Sequence, residues 1–123
     1  MQPFGAPNAK QATLEDLFLE TVKDIYTAEK TILKALPRMA KAASSDELRQ
    51  AFEHHRDETE GQVERLEQIF ELMEKPARGK PCEAIQGLVE EAKEIMHDFK
   101  GSDALDAGLV SSAQAVEHYE IAR

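Results

Sequence analysis

"TLEDLFLETVKDIYTAEKTILKALPRMAKAASSDE", residues 13–47, decides the fold. Leu14, Leu17, Phe18, Val22, Ile25, Ile32, Leu33, Leu36 and Met39 recur at the three- and four-residue spacing of an amphipathic helix. That helix is predicted over about Leu14 to Ala43. Thr13 with Asp16 three residues on forms a capping-box start, Asp standing in for the usual Glu. Pro37 lies inside the segment, lacks an amide proton, and is expected to kink the helix or end it early. "SSDE" then opens a second helix at Ser44, with Glu47 at the box position.

Three further segments carry the same periodicity. The second helix runs to about Met73 through Leu48, Phe52, Val63, Leu66, Ile69 and Phe70. "EKPARGKP" is a connection, since two Pro and a Gly leave no helix intact. The third helix begins near Pro81, carries Ile85, Leu88, Val89, Ala92, Ile95, Met96 and Phe99, and breaks at "KGSD". The fourth starts between Ser102 and Asp106 and continues through Leu109, Val110, Ala113, Val116 and Ile121. Four amphipathic helices with short links predict an all-α four-helix bundle over residues 13–123. Residues 1–12, "MQPFGAPNAKQA", read as a flexible tail.

Composition narrows the function. Twenty-four acidic against 15 basic residues give a net charge of −9. This disfavours nucleic-acid backbones and anionic membrane surfaces, which need clustered Lys and Arg. No apolar run approaches the roughly 18 residues of a membrane span. The one cysteine, Cys82, has no internal partner, and the first dozen residues carry no apolar signal core, so a cytoplasmic location is expected. Cys82 itself reads as a thiol at a helix start rather than a ligand.

Charged residues interrupt the apolar stripes. At about 100° per residue, Glu29 falls at the centre of the first helix's stripe. In the second, His55 and Thr59 fall on the stripe with Gln62, and Glu58 at its edge; in the third, Glu91 flanks it. In the fourth, Val110, Ala113, Glu117, Glu120 and Ile121 share one inward face. The spacings match: Glu29 to His55 and Glu58 is 26 and 29 residues, and Glu91 to Glu117 and Glu120 is again 26 and 29. One offset of 62 therefore carries the first set onto the second, which suggests a site with pseudo-two-fold symmetry. Ionised carboxylates are costly to bury unpaired. They can take up protons, pair with Lys or Arg, or surround cations. Two divalent ions nearly balance five carboxylates, and an oxygen-rich set suits iron or manganese more than zinc. Tyr26, one turn before Glu29, is expected in the core.

The stretches "YTAEKTILKALPRMA", "ETEGQVERLE" and "VEHYEIA" resemble the YciF-type ferritin-like stress proteins of bacteria, and the resemblance extends over residues 13–123. It implies a ferritin-like four-helix bundle, a homodimer, and a dinuclear metal site on Glu29, His55, Glu58, Glu91, Glu117 and Glu120. His55-x-x-Glu58 reverses the Glu-x-x-His order of the wider ferritin-like pattern, and Gly61 stands where that pattern has histidine. Family members continue beyond the fourth helix, so this chain is expected to be a truncated piece lacking a further helical segment. Ferritin-like folds also cross from the second to the third helix along the bundle. The link Glu74 to Lys80 reaches at most ~25 Å, so either the second helix ends early or the bundle is up-down-up-down. Two functions stay open: a di-iron or di-manganese protein acting on peroxide or dioxygen, and a structural or interaction module in which metal only clips the bundle or is absent.

Overall fold

A computed structural model describes residues 13–122, so the tail expected over 1–12 lies outside the described residues. The chain forms α1 (Leu14–Ala42), α2 (Asp46–Leu72), α3 (Glu83–Asp98) and α4 (Leu105–Ala122). The α1 start is the capping box expected: the Thr13 hydroxyl accepts from Asp16 N at 3.1 Å, and Thr13 N donates to Asp16 Oδ2 at 2.9 Å. Pro37 does not end the helix. It faces outward, where water can take the carbonyl it leaves unbonded. Its neighbours Leu36, Met39 and Ala40 are buried and hold the last turn down; tertiary packing outweighs the lost bond.

The start of α2 corrects the sequence reading. Ser45, not Ser44, is the N-cap, its hydroxyl accepting from Leu48 N at 3.3 Å. Glu47 therefore holds no box position. Its place is taken from across the bundle: Asp106, in the first turn of α4, accepts from Ser44 N and Ser45 N at 2.8 Å each.

That bond also settles the topology. It puts the α1–α2 turn and the α3–α4 turn at the same end. Tyr26 donates to Glu67 Oε2 at 2.9 Å and packs edge-on to Phe70, as an antiparallel α1–α2 pair requires. Cys82 meets Tyr119 in the antiparallel α3–α4 pair. Gly108 lies beneath Ile95, where an added Cβ would come within 2.7 Å of Ile95 Cγ2. The bundle is thus up-down-up-down, without a lengthwise crossover. The α2–α3 link, residues 73–82, climbs along α1 instead: Lys80 pairs with Glu20 at 3.3 Å, and a Cβ on Gly79 would collide with the Thr27 hydroxyl.

Because the link climbs, α3 begins beside the middle of α1. The first turns of α1 consequently find no partner among the described residues. Leu14, Leu17 and Phe18, expected in the stripe, are 82%, 63% and 50% exposed. The core splits in two. One part joins Ile32, Leu36 and Met39 of α1 to Phe52, Ile85 and Leu109; the other joins Val22 and Tyr26 to Val63, Leu66 and Phe70.

The turn that ends α2 is strained. Glu74 has φ 57, with Lys75 N bonded to Phe70 O and Glu74 N to Glu71 O, both at 3.0 Å. This is a Schellman motif whose left-handed position carries a side chain. Glu74→Gly is expected to stabilise the protein by about 1 kcal/mol, the relief of the left-handed strain, read as a higher urea midpoint at unchanged slope. Asp106→Ala leaves two amides uncapped and is expected to cost about 1–2 kcal/mol; an unchanged midpoint would refute the role given to that clamp.

Candidate metal centre

The α2 and α4 helices leave the Asp106 clamp side by side. His55 lies ten residues beyond Ser45 and Glu117 eleven beyond Asp106, so at about 1.5 Å per residue both arrive some 15 Å along the bundle. His55 Nε2 is 3.0 Å from Glu117 Oε1 and 3.8 Å from Glu120 Oε1. One ligand atom each from His55, Glu117 and Glu120 lies within 4.8 Å of the others. Glu29 closes the group from α1, buried to 6% exposure. A cavity of about 590 Å³ opens beside them, walled by Glu58, Gln62, Arg65 and Tyr119 and by Ile25, Leu66 and Ile69.

The electrostatics are unbalanced. Glu29 Oε2, His55 Nε2 and Glu120 Oε1 are buried without a hydrogen-bond partner among the described residues. The 3.0 Å approach of Glu117 to His55 therefore lies off the direction of a hydrogen bond. The Glu120 carboxyl is pushed up to about 8. Burial does most of this, followed by a hydrogen bond with Glu29 and repulsion from Glu29 and Glu117, while His55 pulls the other way. A buried polar atom left unpaired costs about 1–3 kcal/mol, and three meet here. The donor chemistry fits a divalent cation: one imidazole and three carboxylates with free lone pairs converging on one point.

The six residues expected from the sequence are placed differently. Glu29, His55, Glu117 and Glu120 come together. Glu58 lines the cavity but is exposed and turned to His54, 2.6 Å away and one turn back. Glu91 is exposed and absent from the cavity wall. The reason is the turns. The α1–α2 turn has three residues and the α3–α4 turn six. Glu29 lies 13 residues before the end of α1, and Glu91 only seven before the end of α3. At 1.5 Å per residue that is about 20 Å against about 10 Å. The offset of 62 holds for α2 and α4 and slips for α1 and α3. The buried face of α4 also differs from expectation. It runs through Leu105, Leu109 and Ser112, one residue round from Ala113, so Val110 and Ile121 are exposed and Glu117 sits at its edge.

The neighbours hold these side chains in place. Thr59 is fully buried, and its hydroxyl donates to the His55 carbonyl at 2.8 Å. Tyr26 faces Glu67, away from the cavity wall. Two wall residues carried no weight in the sequence reading. Tyr119 bonds the buried Cys82 thiol at 2.9 Å, and burial with that bond pushes its hydroxyl up to about 12. Arg65 was hidden among the charges of α2, yet positions 61, 62, 68 and 69, the helical neighbours that could pair with it, are Gly, Gln, Gln and Ile.

Fold and site define the class: a four-helix bundle with a half-buried carboxylate–histidine cluster. The chain belongs to the family described as a domain of unknown function, DUF892, which matches residues 13–123. It is 42% identical to protein YciF of Escherichia coli K12 over 111 residues, 89% of this chain and 67% of that protein. Among solved structures it superposes on the E. coli stress protein YciF with a TM-score of 0.82 at 42% identity, covering 91% of this chain and 71% of the other. It also superposes on YcfI of Rhodopseudomonas palustris, whose description proposes a structural protein, with a TM-score of 0.85 at 44% identity, covering 94% and 74%. The expected YciF-type relationship and all-helical fold are thus found. No helix among the described residues is long and apolar enough to cross a membrane.

The Glu120 shift has a consequence for metal-free protein. Its folded-state pKa lies above the ordinary 4.5. Between about 4.5 and about 8 the native state therefore holds a proton that the unfolded state has lost, and stability falls as pH rises through that window. Thermal melts of metal-free protein should show this decline, and Glu120→Gln should flatten it. A decline of equal size in the variant would refute the assignment.

Proposed function

We propose that the chain is a divalent-metal carboxylate protein of the bacterial stress response, binding a pair of iron or manganese ions and reacting with peroxide or dioxygen. The observation that carries the reading is the convergence of three unpartnered buried atoms, on Glu29, His55 and Glu120, with Glu117 beside them. One ion fits the donors as gathered. A second would draw on Glu58, which already borders the cavity and need only leave His54. Bound ions would supply redox equivalents and a place for a small oxidant between them. The chain's own part is to hold the donors. Glu120 would give up its proton as metal enters, so affinity is expected to rise with pH up to about 8. Thr59 fixes the helical turn that carries His55.

The likeness to YcfI favours a second reading, in which the bundle is a structural or interaction module forming a homodimer, with metal as a clip or absent. Elemental analysis of protein purified without added metal separates the two. The first reading expects about two iron or manganese ions per chain, lost in the Glu29→Gln, Glu117→Gln double variant. Glu91→Gln is expected to keep its metal, because Glu91 lies outside the cavity wall. A folded, metal-free wild type whose double variant is equally or more stable would sink the first reading and leave the second.

A further inference from the structure

The outer face of α1 carries charge opposite to that of the whole molecule. In a chain of net charge −9, residues 30–45 hold four cations, Lys30, Lys34, Arg38 and Lys41, and no acid. Lys30 and Lys34 stand one turn apart, a like-charge spacing that destabilises a helix. Neighbouring lysines are neutralised: Lys23 and Lys80 both pair with Glu20. Lys30 and Lys34 have no ion pair with any described residue.

These two lysines line a cleft of about 200 Å³ between α1 and the α2–α3 link. Tyr26, Thr27, Thr31 and Gly79 complete its wall, and no carboxylate stands in it. At about 100° per residue, Thr27, Lys30, Thr31 and Lys34 share one arc of α1, about 150° round the helix from Glu29. The cleft is therefore built from α1 and the link alone, on the far side of α1 from the carboxylate–histidine cluster and α4.

The chain satisfies the groups in this wall only in part. Lys30 Nζ stands 5.3 Å from the centre of the Tyr26 ring, so an aromatic face positions an ammonium that no carboxylate holds. Glu67, the acid beside Tyr26, takes the Tyr26 hydroxyl at 2.9 Å and lies outside the wall. The Thr31 hydroxyl donates to the Thr27 carbonyl at 2.8 Å, while the Thr27 hydroxyl has no described partner and is free to donate. Gly79 can close the cleft because it is glycine: a Cβ there would collide with the Thr27 hydroxyl. Two ammonium groups and a free hydroxyl, with no anion of the chain among them, suit a dianion rich in oxygen acceptors, and lysine serves phosphate as a point charge.

We propose that this cleft binds a phosphate group, as inorganic phosphate or as the head of a small phosphate monoester. Lys30 and Lys34 meet its two charges and Thr27 donates to one of its oxygens. Binding there needs no metal at the cluster.

Inorganic phosphate is the first probe, titrated into the metal-free full chain in phosphate-free buffer and followed by amide NMR. The shifts should saturate and be largest at Thr27, Lys30 and Gly79. A Lys30→Gln, Lys34→Gln double variant should bind at least about tenfold more weakly. Both lysines are exposed, so the variant is expected to fold, checked by an unchanged helical circular dichroism spectrum. Lys75→Gln with Lys100→Gln removes the same charge at exposed positions outside the cleft and should bind as the wild type does. Glycerol phosphate separates the two sources: tighter binding than inorganic phosphate assigns the cleft to an organic monoester, and equal or weaker binding assigns it to free phosphate. Succinate, a dianion without a tetrahedral head, should bind more weakly than either. No saturable shift at these amides, undiminished binding by the Lys30 and Lys34 variant, equal weakening by the control pair, or tighter binding of succinate would overturn the proposal and leave the lysines as a solvated face.

Discussion

One carboxylate sets the register of everything else. Asp106 takes the first two free amides at the start of α2 while standing in the first turn of α4. Helix N-termini carry unsatisfied donors and partial positive charge, so an anion belongs there. Here the anion comes from the neighbouring hairpin rather than the helix's own cap. The two helices must then start level and run in parallel. Since an α-helix advances a fixed distance per residue, His55 and Glu117 have no choice but to meet. The site is a consequence of the clamp and the helical rise.

What meets there is costly. Glu29 belongs to neither core cluster, and its neighbours on α1, Ala28 and Tyr26, belong one to each. A pure stability argument would put a leucine at the seam. Burial of Glu29 and Glu120 within reach of Glu117 leaves two ways to remove the repulsion: a proton, as the raised Glu120 carboxyl indicates, or a cation. The proton satisfies two carboxyls and leaves His55 Nε2 unpaired, while a cation can engage all the donors at once. That difference is what supports the metal reading proposed above.

Much of this was legible in the sequence. The four helices, the Thr13 cap and the burial of Glu29 follow from helical spacing and from cap residues of the right type. What was not legible depended on distances between helices. The α3–α4 turn looks as short as the α1–α2 turn, and only its six ordered residues reveal that α3 is set back and Glu91 with it. Ser44 and Ser45 are equally good caps by type; Asp106, 61 residues away, chooses between them. Leu14, Leu17 and Phe18 continue a faultless apolar stripe, but a stripe states what a helix could bury, not whether a partner is there. Leu109 rather than Val110 faces inward, on the side where Gly108 lets Ile95 come close, a contact with no trace in the periodicity of α4 alone.

The hairpins hold together without an ion, and that bears on what a bound ion would be for. The cluster draws on α1, α2 and α4, and the hairpins it would join are already joined by Asp106 and by the core around Ile85 and Leu109. A structural clip adds little at that position, which favours the reactive over the structural form of the metal proposal.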